Sequence, residues 1–461
     1  MAQLTIVFGL VECVFGWLQL LGFAASGNSM YPATGTFYNP GPYCGFLAVI
    51  TPVALHAVLR DRHRAAVWLS GTYLFLAIGL MPALMGRTGW IAALLGCAVV
   101  AAGRYVSAGR SFEKGRLRMY AVSVIVLTTA FLALLYFLKP DSAQGRVLMW
   151  MVAFKAMSAH PLGVGWDRVA GAFGQAQEDY FAQHPDSGFI SVAGAPEYVF
   201  NEFLQVGIAF GIAGFIAFVA VVTAGAVAAW RSRCHGLCGA AVAFAAVCFS
   251  SYPLQFAEFY LLVFLLGGAI IFHRRNYPLW LRAGACVVAG CILSVPAYGI
   301  MERKRQIREW NRIGNTIRYR LSDSMKEECD SLVREMEWSA RCLFDYGKAL
   351  RGNGDYEKSN EVLRMGVKVS SDPMFLNLIG RNHEDMGETA KAEEHYTRSK
   401  HRLPNRLYPY YLLAMLYAKE HDVSSGKFRK AYEEAMGLPV KVESPATREM
   451  REELKKVRGE K

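Results

Sequence analysis

The sequence predicts an all-α protein, in which a polytopic helical membrane domain is followed by a solenoid of helical repeats. Of the 461 residues, 53% are hydrophobic and only 19% are charged. The charges are unevenly spread: 18 Lys and Arg with 11 Asp and Glu precede residue 301, against 32 and 27 beyond it. This distribution excludes an ordinary soluble enzyme. The 27 Phe, 22 Tyr and 9 Trp residues exclude a disordered chain.

Long apolar runs mark the membrane domain. A helix rises about 1.5 Å per residue, so about 20 apolar residues cross the roughly 30 Å hydrocarbon core of a bilayer. About nine runs come near this length, at residues 4–23, 42–60, 66–85, 88–103, 118–138, 206–230, 237–251, 256–272 and 279–300. The first run contains Glu12 and lacks a basic leader, so we interpret it as a span and not as a signal peptide.

The charges of the loops predict the direction of insertion. Every second connection is basic, and these connections carry 12 Lys and Arg residues, at residues 60–64, 104–118, 231–233 and 273–275. Basic loops stay in the cytoplasm, so we expect the N-terminus inside. The 139–205 loop and everything beyond residue 300 are then outside. Because these charges are topology signals, the net charge of +12 does not indicate a nucleic-acid partner.

The chain beyond residue 340 resembles an array of tetratricopeptide repeats. Leu, Tyr and Ala recur at helical spacing with a period of 33, so that Gly347 returns as Gly380, although Ser359 stands where the repeat normally has Ala. The repeats could bind a protein partner, or their role could be structural only. Cys329 and Cys342 could form a disulfide if this part is exported. We expect three parts: a membrane domain at 1–300 with the large loop 139–205, a linker helix at 301–339 and the repeat domain at 340–461.

Five short motifs follow one another on the face that the topology places outside. They are Gly-Thr-Phe-x-Asn-Pro at Gly35–Pro40, Arg-x-Gly-Trp at Arg87–Trp90, Gly-Arg-x-x-x-Trp at Gly145–Trp150, Pro-Leu-Gly-x-Gly at Pro161–Gly165 and Asn-Glu-Phe-Leu-Gln at Asn201–Gln205. A lone arginine at the hydrocarbon boundary is more often an anchor that extends toward the head groups than a catalytic group. Five motifs in order carry more weight than any one of them.

In these motifs, residues 1–272 resemble the O-antigen ligase and O-antigen polymerase superfamily of bacterial envelope glycosyltransferases. The resemblance implies a multi-pass protein of the inner membrane with its C-terminal repeats on the periplasmic side. It also implies transfer of a glycan from undecaprenyl diphosphate to an acceptor hydroxyl of a lipid or a protein. Members of the superfamily usually have about a dozen spans, so we expect two or three spans to be missing at the N-terminus.

Two arginines are the predicted catalytic groups for this reaction. The diphosphate gains negative charge as the glycosidic bond breaks, and guanidinium groups bind such oxygens bidentately without losing their proton. Arg87 and Arg146 lie in motifs on the expected outer face. That face has no Asp-x-Asp motif and no His/Cys cluster, so we expect neither a metal nor a cofactor. The motifs also nominate four substrate-binding residues: Asn39, Trp90, Trp150 and Asn201.

The sequence does not identify which residue accepts the proton of the acceptor hydroxyl. Many members of the superfamily have His immediately before the Asn-Glu run, where this chain has Phe200. We nominate Glu202, with Glu197, His184 and Asp186 as alternatives. Glu202 could instead serve only as a carboxylate at the start of a helix.

Other functions compete with an O-antigen ligase. A surface polysaccharide polymerase has the same scaffold and the same diphosphate leaving group, so the sequence does not separate the two. A non-catalytic membrane scaffold that displays the repeats is an alternative because the His is missing. Secondary transport is disfavoured, since the spans contain few ionisable residues, chiefly Glu12 and Glu258.

Overall fold

The protein is helical throughout the part of the chain that the structure describes. The structure is a computed structural model, and it describes residues 2–107, 140–273, 299, 301–317, 321–421, 423–440 and 443–459. In these residues all regular secondary structure is helical, as the sequence predicts. The chain forms two compact units. Unit 1 comprises residues 1–140, 200–203 and 214–298, and unit 2 comprises residues 141–199, 204–213 and 299–461.

Unit 1 packs apolar helices around a central one. Its complete helices are Ala2–Leu20, Pro40–Arg60, Arg64–Leu84, Arg87–Ser107, His235–Ser250 and Ala257–His273, and it also holds residues 202–203 and 214–231 of Glu202–Arg231. The central helix, Pro40–Arg60, is buried without interruption over residues 42–54. The Arg64–Leu84 helix instead exposes large apolar side chains, including Trp68 at 76% and Phe75 at 79%. Apolar exposure of this extent suits a lipid environment and not water.

Several of these helices can cross a membrane. Five in the described part are long and apolar enough: Ala2–Leu20, Pro40–Arg60, Arg64–Leu84, Arg87–Ser107 and Glu202–Arg231. His235–Ser250 and Ala257–Ile271 are apolar but shorter. The expected spans at 118–138 and 279–300 lie outside the described residues, so the total of nine stays a prediction.

Glycines let the helices of unit 1 approach closely. Gly96 and Gly239 lie so near each other that a Cβ added at Gly239 would be 2.4 Å from the Gly96 carbonyl oxygen. A Cβ added at Gly89 would lie 2.5 Å from the Cys44 Sγ. Small residues at helix contacts are typical of membrane domains, because lipid tails are as apolar as the helices and only close packing favours association.

The Glu202–Arg231 helix is broken at Gly211, where φ is 73° and ψ is −171°. The Pro161–Gly165 turn pairs with the backbone at this break: the amides of Val164 and Gly165 donate to the carbonyls of Ile208 and Ala209. A Cβ added at Gly211 would lie 2.2 Å from the Pro161 carbonyl oxygen. The expected span over 206–230 therefore begins with a break that its apolar pattern does not indicate.

Unit 2 combines the long loop of the chain with its C-terminal helices. The loop contributes Val169–Gln183 and most of Pro140–Ala159. Residues 301–317 are helical, and the helices that follow are Asp323–Glu335, Ala340–Gly352, Tyr356–Val369, Met374–Asp385, Thr389–Arg402, Leu407–His421, Gly426–Gly437 and Pro445–Arg458. From Asp323 onward each helix packs against the next in sequence. The domain boundaries expected at residues 300 and 339 stay a prediction.

Residues 33 positions apart make equivalent contacts between neighbouring helices. A Cβ added at Gly347 would lie 2.6 Å from the Leu363 side chain, and one added at Gly380 would lie 2.5 Å from Tyr396, in each case on the following helix. The Ser359 hydroxyl donates to the Gly347 carbonyl at 2.7 Å, which satisfies a polar group at this buried position. The identity of these helices as tetratricopeptide repeats stays a prediction. Cys329 and Cys342 are both buried and both free, so the structure has no disulfide between them.

Candidate functional site

The Gly35–Pro40 motif leads into the central helix of unit 1. Asn39 caps that helix, because its side-chain oxygen accepts a hydrogen bond from the Gly41 amide at 2.9 Å and Pro40 takes the first helical position. The side-chain amide of Asn39 donates to the Tyr252 hydroxyl at 2.8 Å. Asn39, expected to bind substrate, thus fixes the start of a helix and the position of Tyr252.

The Arg87–Trp90 motif forms the first turn of the Arg87–Ser107 helix. Arg87 is the first residue of Arg87–Ser107 and is half-buried. A positive charge at a helix N-terminus opposes the helix dipole, so the helix itself gains nothing from this arginine. Thr88 accepts a hydrogen bond from the Ser250 hydroxyl at 3.0 Å, and the Trp90 indole donates to the Met81 carbonyl at 3.1 Å.

The Asn201–Gln205 motif follows a strained residue. Phe200 stands where the superfamily often has His, has a φ of 51°, and packs its ring 4.8 Å from the Tyr252 ring. Asn201 is 5% exposed and Glu202 only 1%. One carboxylate oxygen of Glu202, Oε1, accepts a hydrogen bond from the Leu254 amide at 2.7 Å. Among the described residues Oε2 has no hydrogen-bond partner. Glu202 therefore holds a distant segment rather than only capping its own helix.

A segment that the sequence did not nominate joins these elements. We call residues 250–256 the 250–256 turn. Its Ser250 bonds to Thr88, its Tyr252 to Asn39, and its Leu254 to Glu202. The apolar pattern leaves these residues between two expected spans, although Ser-Tyr-Pro inside an apolar run is a signal that could have indicated a turn. Three motifs far apart in sequence thus meet on one turn of unit 1.

Two acidic residues of the apolar helices also meet at the first motif. The Thr36 hydroxyl lies 3.0 Å from Glu12 Oε1 and 2.9 Å from Glu258 Oε1. A hydroxyl carries one hydrogen and can donate it to one carboxylate at a time. Thr36 thus connects the first motif to acidic side chains of two different helices.

Arg146 and Trp150 lie in unit 2, on the Pro140–Ala159 helix. Both are half-buried, and their spacing of four residues places them on one face of the helix. Arg87 belongs to unit 1 and is described there. That the two arginines act on one diphosphate stays a prediction.

The alternative proton acceptors are in water. Glu197, His184 and Asp186 are all exposed. The His184 ring stacks on Tyr180 at 4.7 Å, and its Nδ1 lies 2.9 Å from the Tyr180 carbonyl oxygen. Glu202 differs from these three because it is buried next to the 250–256 turn.

The described residues contain no cluster of side chains that indicates metal binding. Within them no three His, Cys, Asp or Glu side chains are grouped so that they could hold a metal ion. The metal independence of the reaction stays a prediction.

Comparison with known proteins finds a family model that matches part of the chain. Residues 45–219 match the family model described as O-antigen ligase, and this range holds Arg87, Arg146 and Glu202. The match supports the O-antigen ligase superfamily, a glycosyltransferase-like enzyme and a role in envelope polysaccharide assembly. Together with the apolar helices it supports a membrane protein. Searches of curated proteins and of solved structures found no significant match.

Proposed function

We propose that this protein is an O-antigen ligase-like glycosyltransferase of the bacterial inner membrane. It moves a glycan from undecaprenyl diphosphate to an acceptor hydroxyl of a lipid or a protein on the periplasmic side. The observation that carries the proposal is the O-antigen ligase match over residues 45–219, which includes both candidate arginines and the candidate base.

The proposed reaction is a displacement at the anomeric carbon of the lipid-linked sugar. The acceptor oxygen forms a bond to that carbon as the bond to the diphosphate oxygen breaks, and the diphosphate leaves with the electron pair. Arg87 and Arg146 neutralise the charge that develops on the leaving group, and they do so without a metal ion. The acceptor proton passes to Glu202 Oε2, the oxygen that is not occupied by the Leu254 amide.

The substrate-binding roles belong to the surrounding motifs. Trp90 and Trp150 are half-buried aromatic side chains that can stack on sugar rings. Asn39 positions Tyr252 through its side-chain amide, and Asn201 directly precedes Glu202. The C-terminal helices are proposed to bind a protein partner on the periplasmic side.

Replacement of the arginines tests the proposal. Arg87→Ala and Arg146→Ala, expressed in a strain that lacks the gene, should each reduce glycan transfer by about 10²- to 10³-fold, because each removes charge stabilisation of the leaving group. The matched controls are Arg104→Ala on the helix of Arg87 and Lys155→Ala on the helix of Arg146, which should leave transfer unchanged. Gel analysis of surface polysaccharide measures the product, and immunoblotting of membranes measures abundance.

The same gel separates the competing functions. Loss of all polymer from the acceptor on deletion of the gene supports a ligase, whereas retention of a single unit supports a polymerase. Unchanged glycan profiles in both arginine variants would contradict both the ligase and the polymerase function. The non-catalytic scaffold would then be the remaining hypothesis.

A further inference from the structure

Unit 2 contains a cleft with an unusual surplus of positive charge. Its volume is about 420 Å³. Four cationic side chains line it, Arg168, Lys368, Arg398 and Arg402, together with His160. The cleft lies between the start of the Val169–Gln183 helix and the helices Tyr356–Val369 and Thr389–Arg402.

One carboxylate compensates part of this charge. Glu178 Oε1 accepts from Arg398 Nε at 2.7 Å, and Glu178 Oε2 accepts from Arg402 Nη2 at 2.8 Å. Asp179 lies close enough to act electrostatically on Arg402. Both carboxylate oxygens of the nearby Asp167 accept from Arg303 Nη2, at 2.9 and 2.8 Å. Lys368 and Arg168 therefore add charge to a cleft near which Glu178 and Asp167 are already paired with other arginines.

Arg402 is the most buried of the four cationic side chains. Its side chain is 1% exposed, and among the described residues its Nη1 has no hydrogen-bond partner. A buried guanidinium N–H without an acceptor costs free energy, so a fold that retains it has a reason to keep it. An anion in the cleft would provide the missing acceptor.

The backbone at the cleft also favours an anion. The 15-residue helix Val169–Gln183 begins here, and no side chain caps its first amides. Amide groups at a helix N-terminus and the positive end of the helix dipole attract negative charge. Gly171 and Ala172, in this first turn, line the cleft, and the Lys368 carbonyl group packs against Gly171.

We propose that this cleft binds a phosphate or diphosphate group. The four cationic side chains leave a net positive charge after Glu178 and Asp179 are counted, which suits a dianion better than a single carboxylate, and guanidinium groups match phosphate oxygens bidentately. The volume exceeds that of a diphosphate, so the group can be attached to a sugar or to a lipid. This second anion site is distinct from Arg87 and Arg146, and it does not depend on the transfer reaction.

Binding of inorganic pyrophosphate to the full-length protein in detergent tests the proposal. The Arg87→Ala/Arg146→Ala variant serves as the parent, so that the proposed catalytic arginines do not contribute. Isothermal titration should detect saturable binding. Arg168→Ala/Lys368→Ala should weaken this binding at least tenfold, and Arg402→Lys should also weaken it, because lysine keeps the charge but loses the fork of donors.

The control removes the same charge from the same domain. Lys391 and Lys400 lie on the Thr389–Arg402 helix, pair with Glu388 and Glu434, and do not line the cleft. Lys391→Ala/Lys400→Ala should bind pyrophosphate as the parent does. Absence of binding in the parent, equal weakening by the control, or equally tight binding of glucuronate would each overturn the proposal.

A second arm identifies the source of the group. Nanodiscs that contain undecaprenyl diphosphate should compete with pyrophosphate if the ligand is lipid-linked. If they do not compete while pyrophosphate still binds, the phosphate is water-soluble or carried on a glycan.

Discussion

The two units hold their polar groups in different ways. In unit 1 the motifs meet through single hydrogen bonds, such as Asn39 to Tyr252 and the Leu254 amide to Glu202. In unit 2 the long loop is tied to the C-terminal helices by paired charges, such as Glu178 with Arg402 and Asp167 with Arg303. Unpaired charge is costly in a membrane, and in unit 2 the buried charge of Arg402 is paired with Glu178. Unit 1 is thus suited to positioning a reaction, and unit 2 to attracting anions.

Substitution of Glu202 in unit 1 should have the largest effect on glycan transfer among these predictions. Glu202→Gln keeps an oxygen for the Leu254 amide but removes the carboxylate, so transfer should fall by about 10²- to 10⁴-fold at normal abundance. The glycan gel and a membrane immunoblot measure the two quantities. Glu202→Ala, which also loses the hydrogen bond, is the comparison and should lower abundance as well. Full transfer by Glu202→Gln would reduce Glu202 to a structural role.

Helix packing in unit 1 gives the second prediction. Gly239→Val should destabilise the protein by about 1–3 kcal/mol, because its side chain would meet the backbone of Gly96. Gly225→Val is the matched control, since a Cβ at Gly225 has no neighbour within 4 Å in the described structure. Thermal unfolding in detergent compares the two. Similar unfolding temperatures for the two variants would show that the close contact between Gly96 and Gly239 does not contribute to stability.

Packing of the loop helix in unit 2 gives a smaller effect. A Cβ at Gly171 would lie 2.0 Å from the Lys368 carbonyl oxygen, so Gly171→Ala should loosen the contact between two helices at a cost of roughly 1–2 kcal/mol. Limited proteolysis of the loop should become faster. Gly188→Ala, with open space around its Cα, should be cleaved at the rate of the unmodified protein.

The pH dependence of unit 2 gives the smallest effect. Burial, helped by the charge of Arg398, lowers the pKa of His395 from 6.5 to about 4, and the His383 ring stacks on it. Protons then bind the unfolded chain more readily, so this contribution to stability is complete above about pH 6.5 and is lost as the pH falls toward 4. Between about pH 7 and pH 6 the loss should be about 1 kcal/mol.

Comparison with a variant isolates this histidine from other titrating groups. His395→Gln should unfold in urea with a shallower dependence on pH than the unmodified protein. Burial also lowers the pKa of His401, so some dependence of the same sign should remain in the variant. Parallel pH profiles would contradict the role of His395.

Much of the fold could be predicted from the sequence because helices leave local patterns. The apolar runs near residues 2–107 correspond to four long helices, and the period of 33 places Gly347 and Gly380 at equivalent helix contacts. The motifs pointed to Arg87, Arg146 and Glu202, which the O-antigen ligase match includes. The site was harder to predict, since neither the burial of Glu202 nor its hydrogen bond to Leu254 follows from the spacing of residues in the sequence.

The sequence by itself determined which segments are apolar helices, where charge concentrates and which short motifs carry chemistry, because composition and periodicity act within a few turns of chain. Only the tertiary structure decided that the 250–256 turn joins Thr88 to Glu202, that the Pro161–Gly165 turn pairs with the break at Gly211, and that Glu178 faces Arg402. The physical reason is that these bonds join residues up to 224 positions apart. Such pairings depend on the path of the whole chain and leave no local pattern.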